Sequence, residues 1–172
     1  AGRVAVVTGG GTGIGAGIVR RLGADGCRLI VSAAHSISGA NQLRDELRAN
    51  GVEIETVRAD LRDPDAARAV VATSVKTYGR LDILVNNAGF TLDEAFLSGT
   101  TARWQDVFNI NLMSMLTGSQ DAARHMVEQG SGRIINISSV HGMVHMPGHA
   151  IYGATKGGIN GFTRALAVEL AP

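Results

Sequence analysis

The sequence predicts an α/β fold built on a doubly wound parallel sheet. Three observations carry this. Short β-branched apolar runs alternate with segments of helical spacing. A cluster of glycines separates the first run from its helix. The fourth run, Leu81–Val85, is apolar apart from Asp82, as a strand covered on both faces must be. Alternation of this kind implies right-handed crossovers between parallel strands.

The elements follow in order. Arg3–Thr8 reads as a strand, the glycine turn follows, and Ile14–Ala24 has helical spacing. Arg28–Ser32 is a second strand. Ala40–Asn50 is a polar helix with Leu43 and Leu47 four apart, ended by Gly51 at C′. Val52–Arg58 alternates as a third strand. Asp63 then caps a helix that has Pro64 at its first position. After the fourth strand, one long helix is expected over Thr101–Gln129, a fifth strand over Arg133–Ile137 and a last helix over Ala150–Ala171.

Composition excludes several classes of function. A chain of 172 residues suits a single domain, residues 1–172, with a sizeable core. A net charge of +1 gives no electrostatic case for nucleic acid or an anionic membrane. No apolar stretch approaches the roughly 20 residues that span a bilayer. The start, Gly2-Arg3-Val4-Ala5-Val6-Val7, is a strand pattern rather than a signal peptide. The single Cys27 excludes an internal disulfide, agrees with a reducing compartment and reads as a buried, inert thiol. A cytoplasmic protein is expected.

Glycine is the outlier, at 23 residues, with a cluster over Gly9–Gly17. Gly9-Gly10-Gly11-Thr12-Gly13-Ile14-Gly15 leads from a strand into a helix N-terminus, whose free N–H groups and partial positive charge suit a pyrophosphate. A side chain at Gly13 would stand where phosphates approach, and one at Gly15 would push helix from strand. A simple tight turn is the alternative.

Tyr152 and Lys156 lie four apart on the last helix and so share a face. A phenol is a poor acid–base catalyst at neutral pH, with an unperturbed pKa near 10. A neighbouring ammonium favours the phenolate, and such a pair can pass a proton to a carbonyl or take one from an alcohol. A packed ring beside a solvated charge is the alternative. Ser139 leaves the fifth strand at the same sheet edge as the glycine loop, where its hydroxyl could hold a substrate oxygen or satisfy local backbone. Asn111 sits in the long helix, kept there by function or by a bond to a carbonyl. Asn86-Asn87-Ala88-Gly89 closes the fourth strand, where turn chemistry accounts for one Asn but two suggest a ligand. Asp60 alone passes as a capping carboxylate.

The loop Thr8-Gly9-x-x-x-Gly13-x-Gly15 together with Asn86–Gly89, Asn111, Ser139 and the Tyr152/Lys156 pair resembles the short-chain dehydrogenase/reductase family across essentially the whole chain. The 3-oxoacyl-thioester reductases and sugar dehydrogenases are the members it is most similar to. The resemblance implies a Rossmann-like NAD(P)-binding domain and hydride transfer between nicotinamide and a carbonyl or secondary alcohol. It implies Tyr152 as acid/base, Lys156 as its partner and a ligand of the nicotinamide ribose, and Ser139, rather than Ser138, as donor to the substrate oxygen. Asn111 would anchor a water-linked proton path. Cofactor contacts would come from Gly9, Gly11, Thr12, Gly13, Ile14, Gly15, Ala33, Asp60, Leu61, Asn87, Ala88, Gly89, Tyr152 and Lys156. Ala33-Ala34-His35 end the second strand without the acid that would bind a ribose 2′-hydroxyl, which leans toward NADP over NAD, although no arginine stands there. A homodimer or tetramer through the long and last helices is implied for the full-length form.

His141, His145 and His149 recur every four residues, but Gly142, Pro147 and Gly148 argue against a helix. No metal site is expected. The segment reads instead as a substrate-pocket wall, with Met143 and Met146. The sequence stops at Pro172, where family members continue into two more strands and a substrate-covering segment, so weak cofactor binding and slow or absent turnover are expected of this polypeptide alone. The rival readings are a non-catalytic nucleotide-binding module, an inactive fragment of a longer reductase, and a nucleotide-sugar epimerase.

Overall fold

The computed structural model describes residues 2–171. Five strands, β1 (Val4–Thr8), β2 (Arg28–Ala33), β3 (Ile54–Arg58), β4 (Ile83–Asn86) and β5 (Arg133–Asn136), form one sheet in the order β3-β2-β1-β4-β5. Every pair is parallel, with Val6 opposite Ile30 and Leu84. The helices are α1 (Gly13–Ala24), α2 (Ile37–Ala49), α3 (Asp65–Tyr78), α4 (Thr101–Phe108), α5 (Ser114–Gln129) and α6 (Ala150–Glu169). The predicted fold class is the observed one.

Alternation along the central strands divides the core into two layers. Ala5, Val7, Leu29, Val31 and Val85 face α1 and α2. Val6, Ile30 and Leu84 face the other way, onto Val70 and Val71 of α3 and Ala122 and Met126 of α5. Each buried Val, Leu, Ile or Met side chain among them contributes about 1.5–3 kcal/mol. The strand order reverses between β1 and β4, so the connections leave to opposite sides there and open a crevice at the carboxyl edge.

Local chemistry explains the boundaries, including those that differ from expectation. Asp63 accepts a hydrogen bond from the Asp65 N–H, but α3 starts one residue later than expected, with Pro64 just ahead of its first residue, Asp65. Gly51, at φ +79°, ends α2 as expected. α2 starts three residues before the expected Ala40, because Gly39 packs onto the glycine loop: a Cβ there would lie 2.5 Å from the Gly11 carbonyl oxygen. β3 starts two residues after the expected Val52, whose N–H instead closes the end of α2 on the Leu47 carbonyl. β4 is shifted toward Asn86; Asp82, ahead of it, uses its carboxylate on the Val4 N–H at 2.8 Å. The single helix expected over Thr101–Gln129 is interrupted by a π turn, Asn109–Met113, centred on Asn111. Such an insertion re-aims a side chain, and π turns concentrate at functional sites.

Candidate active site

The crevice beside the β1–β4 switch point has a volume of about 610 Å3. Its floor is the glycine loop. Gly9 takes φ +66° and a Cβ on it would meet the Ala88 Cα at 2.8 Å, so only glycine lets β1 and β4 approach this closely. Gly13 takes φ +53° with nothing within 4 Å of a Cβ, leaving its backbone open to the crevice at the N-terminus of α1. That free backbone at a helix N-terminus fits a pyrophosphate.

Thr8 and Asn87 lock the loop. The Thr8 hydroxyl accepts from the N–H groups of Asn87 and Ala88, both at 3.1 Å. The Asn87 amide donates to the carbonyls of Thr8 and Gly9 at 3.0 and 3.1 Å. A Cβ on Gly15 would lie 2.2 Å from the Gly9 carbonyl oxygen and 2.6 Å from Asn87 Nδ2, so only glycine lets α1 pass this close to the ends of β1 and β4. One expectation is corrected here. Asn86 does not face a ligand: it is buried, donating to Ser119 and Asn136 on the side of α5 and β5.

One end of the crevice is lined by Ala33, Ala34, His35, Ser36, Asp60, Leu61 and Arg62. Arg62 pairs through its guanidinium with both carboxylate oxygens of Asp60 and holds that carboxyl down to about 2. Nothing in the local residue pattern marks Arg62 as a crevice residue; only the pairing of β3 beside β2 brings it into the same lining as His35. Thr12, Ile14, Ala88 and Gly89 also line the crevice, whereas Gly11 does not. Gly11 packs under Ser36, whose carbonyl oxygen would be 2.3 Å from a Cβ on it.

Gly89 leads from the crevice to the second group of residues. A Cβ on it would stand 3.6 Å from both Asn111 Oδ1 and Lys156 Nζ. Lys156 is 4% exposed and donates to the Ile137 carbonyl at 2.9 Å. Burial pushes its pKa below the ordinary lysine value. Its Nζ lies 5.6 Å from the centre of the Tyr152 ring. Ser138 spends its hydroxyl on the Lys156 carbonyl at 3.0 Å. Ser139 Oγ accepts the His141 N–H at 3.2 Å, which leaves its proton for another acceptor. No hydrogen bond joins Ser139 to Tyr152 among the described residues. Asn111 accepts from the Phe90 N–H at 2.7 Å and donates to the Phe90 carbonyl and the Thr155 hydroxyl at 2.9 and 3.1 Å. The expected bond to a carbonyl is therefore made, and it pins the β4–α4 loop to α6.

Residues 3–172 match the short chain dehydrogenase family. The chain belongs to this family. It is 40% identical over 169 residues to a 3-oxoacyl-[acyl-carrier-protein] reductase of Synechocystis sp., covering 98% of this chain and 68% of that protein. A metagenomic short-chain oxidoreductase solved with NADP superposes with TM-score 0.94 at 36% identity, covering 99% of this chain and 77% of that one. A Burkholderia phymatum short chain dehydrogenase/reductase solved with NAD gives 0.93 at 29% identity, over 98% and 60% of the two chains.

As a short chain dehydrogenase the protein is an NAD(P)-dependent oxidoreductase. No helix among the described residues is long and apolar enough to cross a membrane. The segment after Ser139 forms a 3₁₀ turn, Val140–Gly142, and then a loop that leaves Met143 and Met146 exposed.

Proposed function

We propose that this short chain dehydrogenase is a single-domain carbonyl reductase that uses NADPH on a 3-oxoacyl thioester. The observation that carries the catalytic assignment is the buried Lys156 ammonium beside the Tyr152 ring, reached from the crevice past Gly89. A nucleotide-binding module has no need of a water-shielded ammonium next to a phenol, which disfavours the non-catalytic alternative.

When bound, the nicotinamide cofactor supplies the hydride for the carbonyl carbon. The proton for the carbonyl oxygen resides on Tyr152 Oη, and the Ser139 hydroxyl donates a hydrogen bond to the same oxygen. Lys156 stabilises the phenolate left after donation. Asn111 holds the loop that spaces α6 from β4. Gly9, Thr12, Gly13, Ile14 and Gly15 would cradle the pyrophosphate, with Asn87, Ala88 and Gly89 along the opposite wall.

The preference for NADPH is supported by the missing acid after β2 and by Arg62 at that end of the crevice. The thioester substrate is supported by the 3-oxoacyl reductase among the relatives. Exposed Val127 on α5, Val168 on α6 and Leu170 just past its end support pairing of this face into a homodimer or tetramer, and the reading is of a cytoplasmic enzyme. The test is nicotinamide absorbance with NADPH and NADH against acetoacetyl thioesters, a sugar panel and simple ketones. A faster rate on sugars or with NADH would overturn the substrate or cofactor assignment.

A further inference from the structure

Two of the three histidines between Ser139 and α6 come to rest on the Tyr152 ring. His141 and His149 stack with centroids 4.7 Å apart and planes 13° apart. Both meet Tyr152 edge-on, His141 at 5.8 Å and 71°, His149 at 6.2 Å and 76°. This is the preferred edge-to-face arrangement of aromatic rings. The backbone N–H of His141, rather than its ring, donates to the other hydroxyl-bearing residue, at Ser139 Oγ, at 3.2 Å. One residue thus touches both.

The turn that carries His141 is fixed to α6 at both ends. Ser138 Oγ donates to the Lys156 carbonyl at 3.0 Å, and Asn160 Nδ2 to the Gly142 carbonyl at 3.4 Å. A Cβ on Gly142 would come 2.9 Å from the Lys156 carbonyl oxygen, so glycine alone lets the turn lie this close. His141 Nδ1 is buried with no hydrogen-bond partner among the described residues. Stacking, not a bond from that nitrogen, therefore places the ring. His149 stands just ahead of α6, with its Nδ1 3.1 Å from the Pro147 carbonyl oxygen.

We propose that His141 is a positioning residue that sets the Tyr152 ring relative to Ser139, with His149 as its buttress. A side chain at a reacting centre needs such support to hold its rotamer. The inference rests on Tyr152 and Ser139 being the reacting pair. It makes shape and ring packing the requirement at position 141, so phenyl should serve where a methyl group does not.

The chain has two tyrosines, Tyr78 and Tyr152, so labelling with 13C-tyrosine gives two sets of ring signals, and Tyr152→Phe assigns them. The Tyr152 set is expected away from solvent-exposed positions, shifted by the two imidazoles. His141→Ala should move it toward those positions while the Tyr78 set, far off on α3, stays as a folding control. His141→Phe should restore it, and His149→Ala should give a partial shift. With turnover as a second readout, His141→Ala should lower kcat about tenfold or more with KM and cofactor Kd unchanged, and His141→Phe should recover it. Tyr152 signals that stay in place in His141→Ala overturn the proposal. So does a His141→Phe chain as impaired as His141→Ala, which would give the imidazole nitrogens a chemical role. Should His141→Ala disturb the Tyr78 set, His149→Ala decides alone by the same signals. Turnover retained in Tyr152→Phe would instead sink the catalytic reading, whereas the ring signals report the packing without any turnover.

Discussion

Lys156 Nζ lies 5.6 Å from the centre of the Tyr152 ring and is held there by a 2.9 Å hydrogen bond to the Ile137 carbonyl. The ammonium is tied to the backbone just past the end of β5 rather than to a carboxylate, so its charge remains available to the phenol. Tyr152→Phe keeps the ring and removes only the hydroxyl. It should lower kcat about 10²–10⁴-fold and leave cofactor affinity within about twofold. Fluorescence titration with NADPH beside steady-state turnover reads both.

Burying that ammonium costs stability. Its pKa is pushed below 10.5 by burial, so between the folded value and 10.5 the unfolded chain binds more protons. Stability from this group therefore rises with pH across that window, and the cost is fully present below it. Lys156→Met should raise stability by about 1 kcal/mol at pH 7, by less as pH approaches 10.5, while turnover is lost. Urea unfolding at two pH values measures it.

Three glycines separate backbone demand from ligand access. Gly15→Ala places a Cβ 2.2 Å from a backbone oxygen and should cost about 1–3 kcal/mol. Gly13→Ala meets no atom but sits at φ +53°, a strain of about 1–2 kcal/mol, and its methyl projects toward the crevice, so cofactor affinity should fall more than stability. Gly17, exposed within α1 with open space around it, should stabilise by about 0.5–1 kcal/mol on change to Ala. Melting temperatures and NADPH Kd values rank them.

Arg62→Ala should weaken NADPH about tenfold, or ~1.4 kcal/mol, and NADH far less. Asp60, held down to about 2 by Arg62, supports the fold above its ordinary value of 3.8 and loses that contribution only as pH falls toward 2. The NADPH-to-NADH affinity ratio should therefore not change through titration of this carboxyl between pH 5 and pH 8, as calorimetry can check.

Asn111→Ala removes the partner of the Phe90 N–H and carbonyl at once. Two backbone groups left unpaired in a part-buried loop should lower stability by about 2–3 kcal/mol and turnover with it. A thermal melt gives the first.

Local spacing was enough for the βαβ alternation, the glycine loop and the shared face of Tyr152 and Lys156, while the family resemblance joined Ser139 and Asn111 to that pair. Period-2 and period-3.6 burial and the backbone freedom of glycine are written into consecutive residues. The folded chain settled the rest. It brought Arg62 and His35 into one crevice lining, turned Asn86 inward, withdrew Gly11 from the crevice and stacked His141 on His149 against Tyr152. Each of these depends on which strand lies beside which and on where a turn meets a helix. Such contacts join residues far apart in the chain or irregular in backbone, and no short-range periodicity encodes them.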